Sequence, residues 1–217
     1  MASGPSERAR LLGLARDYVL EHGVVDLSLS ELARGIGSNN RMLLYHFKSL
    51  DQILGAAIDE ILDRSLFVAK LTELMQAEKS SGARVAVAWQ HISNPERLPH
   101  LRLFFARFGM ASDRPDRYGP FLERTRTEWT EAVAVALADD DRIPDPLQTA
   151  MAIVSVWRGL QVLLIAGTPR SVVDSSHTLA MKAFLPDYPD TQPRARTLRK
   201  PVATMPAARG VRPGRRT

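Results

Sequence analysis

Ser38, Asn39, Asn40 and Arg41 follow one another directly after Gly37. Short polar side chains ending in a guanidinium suit hydrogen bonding to base edges. Arg can pair bidentately with guanine, and Asn with adenine. Ser28, Ser30, Tyr45, Lys48 and Ser49 bracket this run with hydroxyls and an ammonium that suit phosphate oxygens. His46 reads as a structural or phosphate-facing group rather than a pH sensor.

Other chemistries find less support. The chain has no cysteine, which excludes disulfides, thiolate metal sites and Cys nucleophiles. Asp139, Asp140 and Asp141 can chelate a hard cation, but beside Pro144 they read as a solvated loop. His91 and His100 lie across Pro95 and Pro99 without ligand spacing. No phosphate-cradling glycine loop or nucleophile motif occurs, so no cofactor, metal or catalysis is expected. Trp89, Phe104, Phe105, Phe108, Met110, Trp129 and Trp157 can line a pocket or simply fill a core. The expected small-molecule contacts are Trp89, Arg102, Phe105, Phe108, Trp129 and Trp157. Arg102, Arg107 and His91 lie among them; a buried Arg there needs a carboxylate from Glu123, Glu128 or an acidic ligand.

The elements that must position these groups are helical. Leu11, Leu12, Ala15, Tyr18 and Val19 mark one face of a first helix, stopped by Gly23. Ser28 and Glu31 form a capping box that opens a short second helix, with Leu32, Ala33 and Ile36 inward. Gly37 ends it, and Asn39 or Ser38 caps a third helix over 40–46. A second capping box, Ser49 to Gln52, starts a long fourth helix. The N-termini expected at Ser28 and Ser49 carry free N–H groups that favour anions. Five further amphipathic segments are predicted over 82–93, 95–111, 116–138, 146–166 and 169–185. Asn94-Pro95, Asp145-Pro146 and Thr168-Pro169 punctuate three of their starts. The reading is all-α, about nine helices: a unit over 1–48, a larger helical domain over 49–190, and a tail.

The 217 residues carry a formal net charge of +5. Eight of the basic residues, and no acid, fall in the Arg/Pro-rich segment 191–217, which reads as a disordered tail. The first 50 residues have a net charge of only +1, so any DNA contact there depends on a few placed groups. The apolar run 151–166 is about a turn short of a membrane span, which needs roughly 20 residues. With Arg158 in its middle it reads as a buried helix. It is apolar nearly all round, so one subunit leaves a face to cover. A second copy is the economical cover, pairing through residues 146–185.

The stretch SLSELARGIGSNNRMLLYHFKSLDQIL resembles the DNA-binding unit of the tetracycline-repressor (TetR) family. The matching features are Ser28, the Leu32-Ala33 pair, Gly37 in the turn, Leu44-Tyr45-His46-Phe47, and Ser49 with Ile53-Leu54. Three departures stand out: one extra residue between Gly37 and Tyr45, His46 directly after Tyr45, and Leu50 in place of the usual Lys. The resemblance implies a cytoplasmic homodimer on a near-palindromic double-stranded operator, most often a repressor released by a small-molecule effector. It adds Leu44 to the DNA contacts. Two rival readings remain: a helix-turn-helix that docks protein, and a helical enzyme.

Overall fold

The structure, a computed structural model, describes residues 6–62 and 64–190, without the side chains of residues 64–66 and 117. The Arg/Pro-rich segment 191–217 lies outside the described residues. Ten α-helices and no strand are found among them. They are α1 (Glu7–His22), α2 (Leu29–Gly35), α3 (Asn40–Phe47), α4 (Leu50–Ile61), α5 (Arg64–Gln76), α6 (Ser81–Ile92), α7 (Leu98–Ser112), α8 (Pro115–Leu137), α9 (Pro146–Ile165) and α10 (Arg170–Phe184). The helix beyond the expected nine is α5. Residues 56–80 hold neither Pro nor Gly, so nothing in the sequence punctuates its start.

Two other boundaries differ from the sequence pattern. Asn94 caps only a 3-10 turn, Pro95–Arg97, and α7 begins at Leu98 with Pro99 in its first turn, where a missing N–H costs nothing. Thr168 does not cap α10. Pro169 occupies the N-cap position and no side chain caps that end. Within α8, Tyr118 leaves helical geometry (φ −116°, ψ 18°) two residues before Pro120, as expected where a ring displaces the preceding turn.

Helices α1 to α4 share one core. Leu11, Ala15 and Val19 of α1 pack with Leu32 of α2, Leu43 and Phe47 of α3, and Ile53, Ala57 and Ile58 of α4. Leu103 of α7 joins them. Each fully buried aliphatic side chain of this kind stabilises by about 1.5–3 kcal/mol. The α1–α2 crossing depends on Gly35: a Cβ there would lie 2.2 Å from Cε2 of Tyr18. The turn after α2 depends on Gly37, whose φ of +66° is left-handed. It lets the Ser38 N–H return to the Ala33 carbonyl at 2.8 Å.

A second core joins α5, α6, α8, α9 and α10 around Met75, Trp89, Leu137, Ile153, Trp157 and Met181. At its centre His177 is fully buried. The Trp157 indole is a donor only, so its Nε1–H donates to His177 Nε2 at 2.9 Å. That fixes the proton of the neutral ring on Nδ1, facing the Tyr188 hydroxyl at 3.1 Å. Trp89 stacks on His177 at 4.4 Å and donates to Asp174, which also holds Arg170. Burial, with Arg170 nearby, lowers the His177 pKa to about 3.

Helix α9 leaves part of its apolar surface open. Leu147, Met151, Val162 and Leu163 are exposed, as are Val172 and Leu179 of α10. With its first turn starting at Pro146, α9 is longer than the apolar run 151–166 and by length and composition alone is long and apolar enough to cross a membrane.

Candidate nucleic-acid interface

Helix α3 presents two unlike faces. Leu43 and Phe47 are buried in the N-terminal core. Asn40, Arg41, Leu44, Tyr45 and Lys48 are exposed, Tyr45 by 80% and Leu44 by 42%. Spacings of one, three and four keep these five side chains on one side of the helix.

Capping fixes the start of that helix. The Asn39 side-chain oxygen accepts the Met42 N–H at 3.0 Å. Such a cap is worth about 1 kcal/mol. Asn40 Nδ2 donates to Ser30 Oγ at 2.9 Å, tying the exposed face of α3 to α2. The Ser28 hydroxyl is also engaged: it accepts the Glu31 N–H and lies 2.6 Å from the Glu31 carboxylate. These Ser28 contacts hold the Glu31 carboxyl below its usual range. An anionic group therefore already occupies the N-terminus of α2, beside the expected phosphate contacts. Ser49 accepts the Gln52 N–H at 3.2 Å and opens α4. Lys48 joins the two helices in left-handed conformation, φ +63°. His46 is half-buried, edge-on to both Tyr45 and Phe47. The eleven expected contacts thus fall on one region, the turn and helices over 28–49. Arg8 was not singled out by the sequence. It stands 4.8 Å over the Phe47 ring and adds a cation beside α3. No local pattern links a first-turn α1 residue to that place.

The larger domain holds a cavity of about 340 Å³. Ile61 and Leu62 border it at the end of α4, and Phe67, Leu101, Phe104 and Trp129 supply apolar wall. Its polar lining is Lys70, Arg97, His100, Arg158 and Gln161. Of the six ligand contacts expected from sequence, Trp129 lines this cavity. Trp89 and Trp157 are fully buried in the second core, with their indole N–H groups on Asp174 and His177. Arg102 and Phe108 are exposed, and Phe105 packs edge-on against Phe104. Arg107 does find a carboxylate, but from Asp59 of α4. Glu123 instead binds Arg126, and Glu128 pairs with Arg124. The Arg107 guanidinium also lies 4.4 Å over the Tyr118 ring, whose hydroxyl donates to Asp51 of α4 at 2.5 Å. Asp140 is held by Arg142, and no group of three or more His, Cys, Asp or Glu suited to a metal ion occurs among the described residues.

No family model and no curated protein matches the chain. Solved structures do. A transcriptional regulator from Rhodococcus sp. Rha1 superposes with a TM-score of 0.66 at 17% identity, over 82% of this chain and 96% of that one. A TetR-family member from Streptomyces coelicolor A3 gives 0.57 at 23% identity, over 84% and 99%. The multidrug binding protein EbrR, solved with imidazole, gives 0.56 at 22%, over 86% and 93%. The chain therefore has the all-helical fold of TetR-type transcriptional regulators.

Proposed function

We propose that the chain is a transcriptional repressor that binds a near-palindromic operator as a homodimer and leaves it when a small molecule fills the larger domain. The observation that carries this reading is α3 itself. A short helix, capped by Asn39 and tied to α2 through Ser30 and Asn40, turns Arg41, Leu44 and Tyr45 outward. That is the geometry needed to enter a major groove. Residues 1–48 serve as the DNA-binding unit and residues 49–190 as the dimerisation and effector domain. The exposed apolar side chains of α9 and α10 support pairing through residues 146–185. We assign the chain to the cytoplasm and give it no catalytic step.

The mechanism follows from lengths. Two recognition helices fill consecutive major grooves only when they sit about 34–36 Å apart. Helix α4 packs into the same core as α1 to α3, and its last residue, Ile61, borders the cavity. An occupant that fits one position of α4 better than another shifts the spacing by that difference in affinity. EbrR, solved with imidazole, supports placing a small-molecule effector on this fold.

Selection of genomic fragments on the purified protein tests the reading. A recovered inverted repeat, retarded in a gel and bound more weakly with Arg41→Ala, is expected. Retardation indifferent to sequence would overturn it.

A further inference from the structure

The cavity wall is unusual in its charge. Arg97, Arg158 and Lys70 all line it, with His100 and Gln161, and no Asp or Glu lines it among the described residues. Lys70 is engaged outside, on Glu73 at 2.6 Å. Arg97 makes no ion pair among the described residues; its guanidinium lies 4.8 Å over the Phe67 ring. Burial pushes it below the usual arginine range, with Glu96 opposing. The buried Nδ1 of His100 has no hydrogen-bond partner among the described residues. Arg158 lies between two rings, 4.3 Å over Phe104 and 3.8 Å over Trp129, and donates to Gln161 at 3.2 Å.

From this lining we infer that the cavity takes a planar aromatic carboxylate: the anion on Arg97, His100 and Arg158, the ring system against Phe67, Phe104 and Trp129. A carboxylate offers two acceptors to a guanidinium fork and supplies the counter-charge that a partly desolvated Arg97 lacks. A cation of the same shape meets the guanidinium groups of Arg97 and Arg158. A neutral molecule leaves Arg97 without a counter-charge. Phe67 and Trp129 stack on each other at 5.5 Å and, with Phe104, give the cavity a stiff apolar wall. Such a wall favours a rigid ring over a flexible chain, which would lose more entropy on binding. The volume suits one small ligand of this kind. That the carboxylate acts as effector rests on the regulator reading above; that it binds does not.

The test uses the full chain and three molecules of one shape: 2-naphthoate, 2-naphthamide and 2-naphthylmethylammonium. Calorimetry should find the acid bound about tenfold or more tighter than the amide, and the ammonium not bound. Arg97→Gln, on a half-exposed turn, should remove that preference and leave amide binding unchanged. Arg158→Met should remove it too, with the Trp129 fluorescence response altered. Equal or tighter binding of the amide or ammonium overturns the inference. So does binding of none of the three, or a preference that survives both substitutions. The regulator reading fails separately: naphthoate that binds the cavity while no operator is recovered sinks that reading and leaves this one standing. An operator complex with no naphthoate binding does the reverse.

Discussion

Both carboxylate oxygens of Asp59 face the Arg107 guanidinium, Nε to Oδ1 and Nη2 to Oδ2, each at 3.2 Å. The pair is lopsided: the Arg107 side chain is 5% exposed and that of Asp59 is 42%. Asp59→Asn removes the counter-charge of the buried Arg107 cation and one of its two carboxylate acceptors. Solvent at the Asp59 side tempers the loss, so about 1–2 kcal/mol of stability should go, read from urea unfolding. A double-mutant cycle with Arg107→Met should return a coupling of at least about 0.5 kcal/mol. Additive losses would show that the contact carries nothing.

Arg41 is exposed on the outward face of α3, and the proposed function has it read a base. Arg41→Ala should cost about 1–3 kcal/mol of operator affinity and relax preference at one base pair in each half-site. An unchanged footprint and sequence preference in the variant would refute base reading.

Lys48 offers a substitution with two opposite effects. Its left-handed backbone suits glycine, so Lys48→Gly should raise stability by up to about 1 kcal/mol. The same change removes the phosphate contact that the proposed function gives Lys48. Operator binding should weaken alike for all sequences, and its salt slope should fall by about one. Thermal melts and a salt titration separate the two.

The buried imidazole of His177 predicts acid sensitivity. Its folded pKa of about 3 lies well below the ordinary value of 6.5, so the unfolded chain takes up the proton first. The contribution is complete above about pH 6.5, declines as pH falls toward 3 and is flat below. His91, lowered to about 4 by burial and by Arg97 and Lys70, adds in the same direction over a narrower range. His177→Gln should therefore flatten, without abolishing, the loss of melting temperature between pH 6.5 and 4. A variant as steep as the parent would count against the assignment.

Leu179 is 76% exposed and Leu163 43% in the single chain. Leu163→Glu combined with Leu179→Glu should leave folding intact, convert dimers to monomers by light scattering, and weaken operator binding. Monomeric parent protein at micromolar concentration would dispose of the α9–α10 interface.

The readable parts of this chain were local. Ser28 with Glu31, Asn39 with Met42, and Ser49 with Gln52 are each contacts three residues apart, and the structure contains all of them. Gly37 could be assigned to a turn because few other residues take its backbone conformation. The cavity was not readable in this way. Phe67, Arg97, Phe104, Trp129 and Arg158 come from five separate elements, so no spacing links them. Aromatic identity alone pointed to Trp89 and Trp157, whose indoles are turned to Asp174 and His177 in the core. Arg158 carried the usable signal, a lone cation within an apolar helix.

Ile53, Leu54, Ala57 and Ile58 of α4 are buried against α1 to α3, with Leu103 of α7 beside them. A chimera that grafts another protein's recognition unit onto this chain at residue 48 would set a foreign α1 against an α4 surface shaped for Leu11, Ala15 and Val19. Moving the junction past Ile61 carries α1 to α4 across together, and the remaining mismatch then lies where they meet α7 and α8, at Leu103, at Gly55 against Arg107, and at the contacts of Asp51 and Asp59. Interchangeable DNA-reading heads built from this scaffold should therefore be cut after the fourth helix.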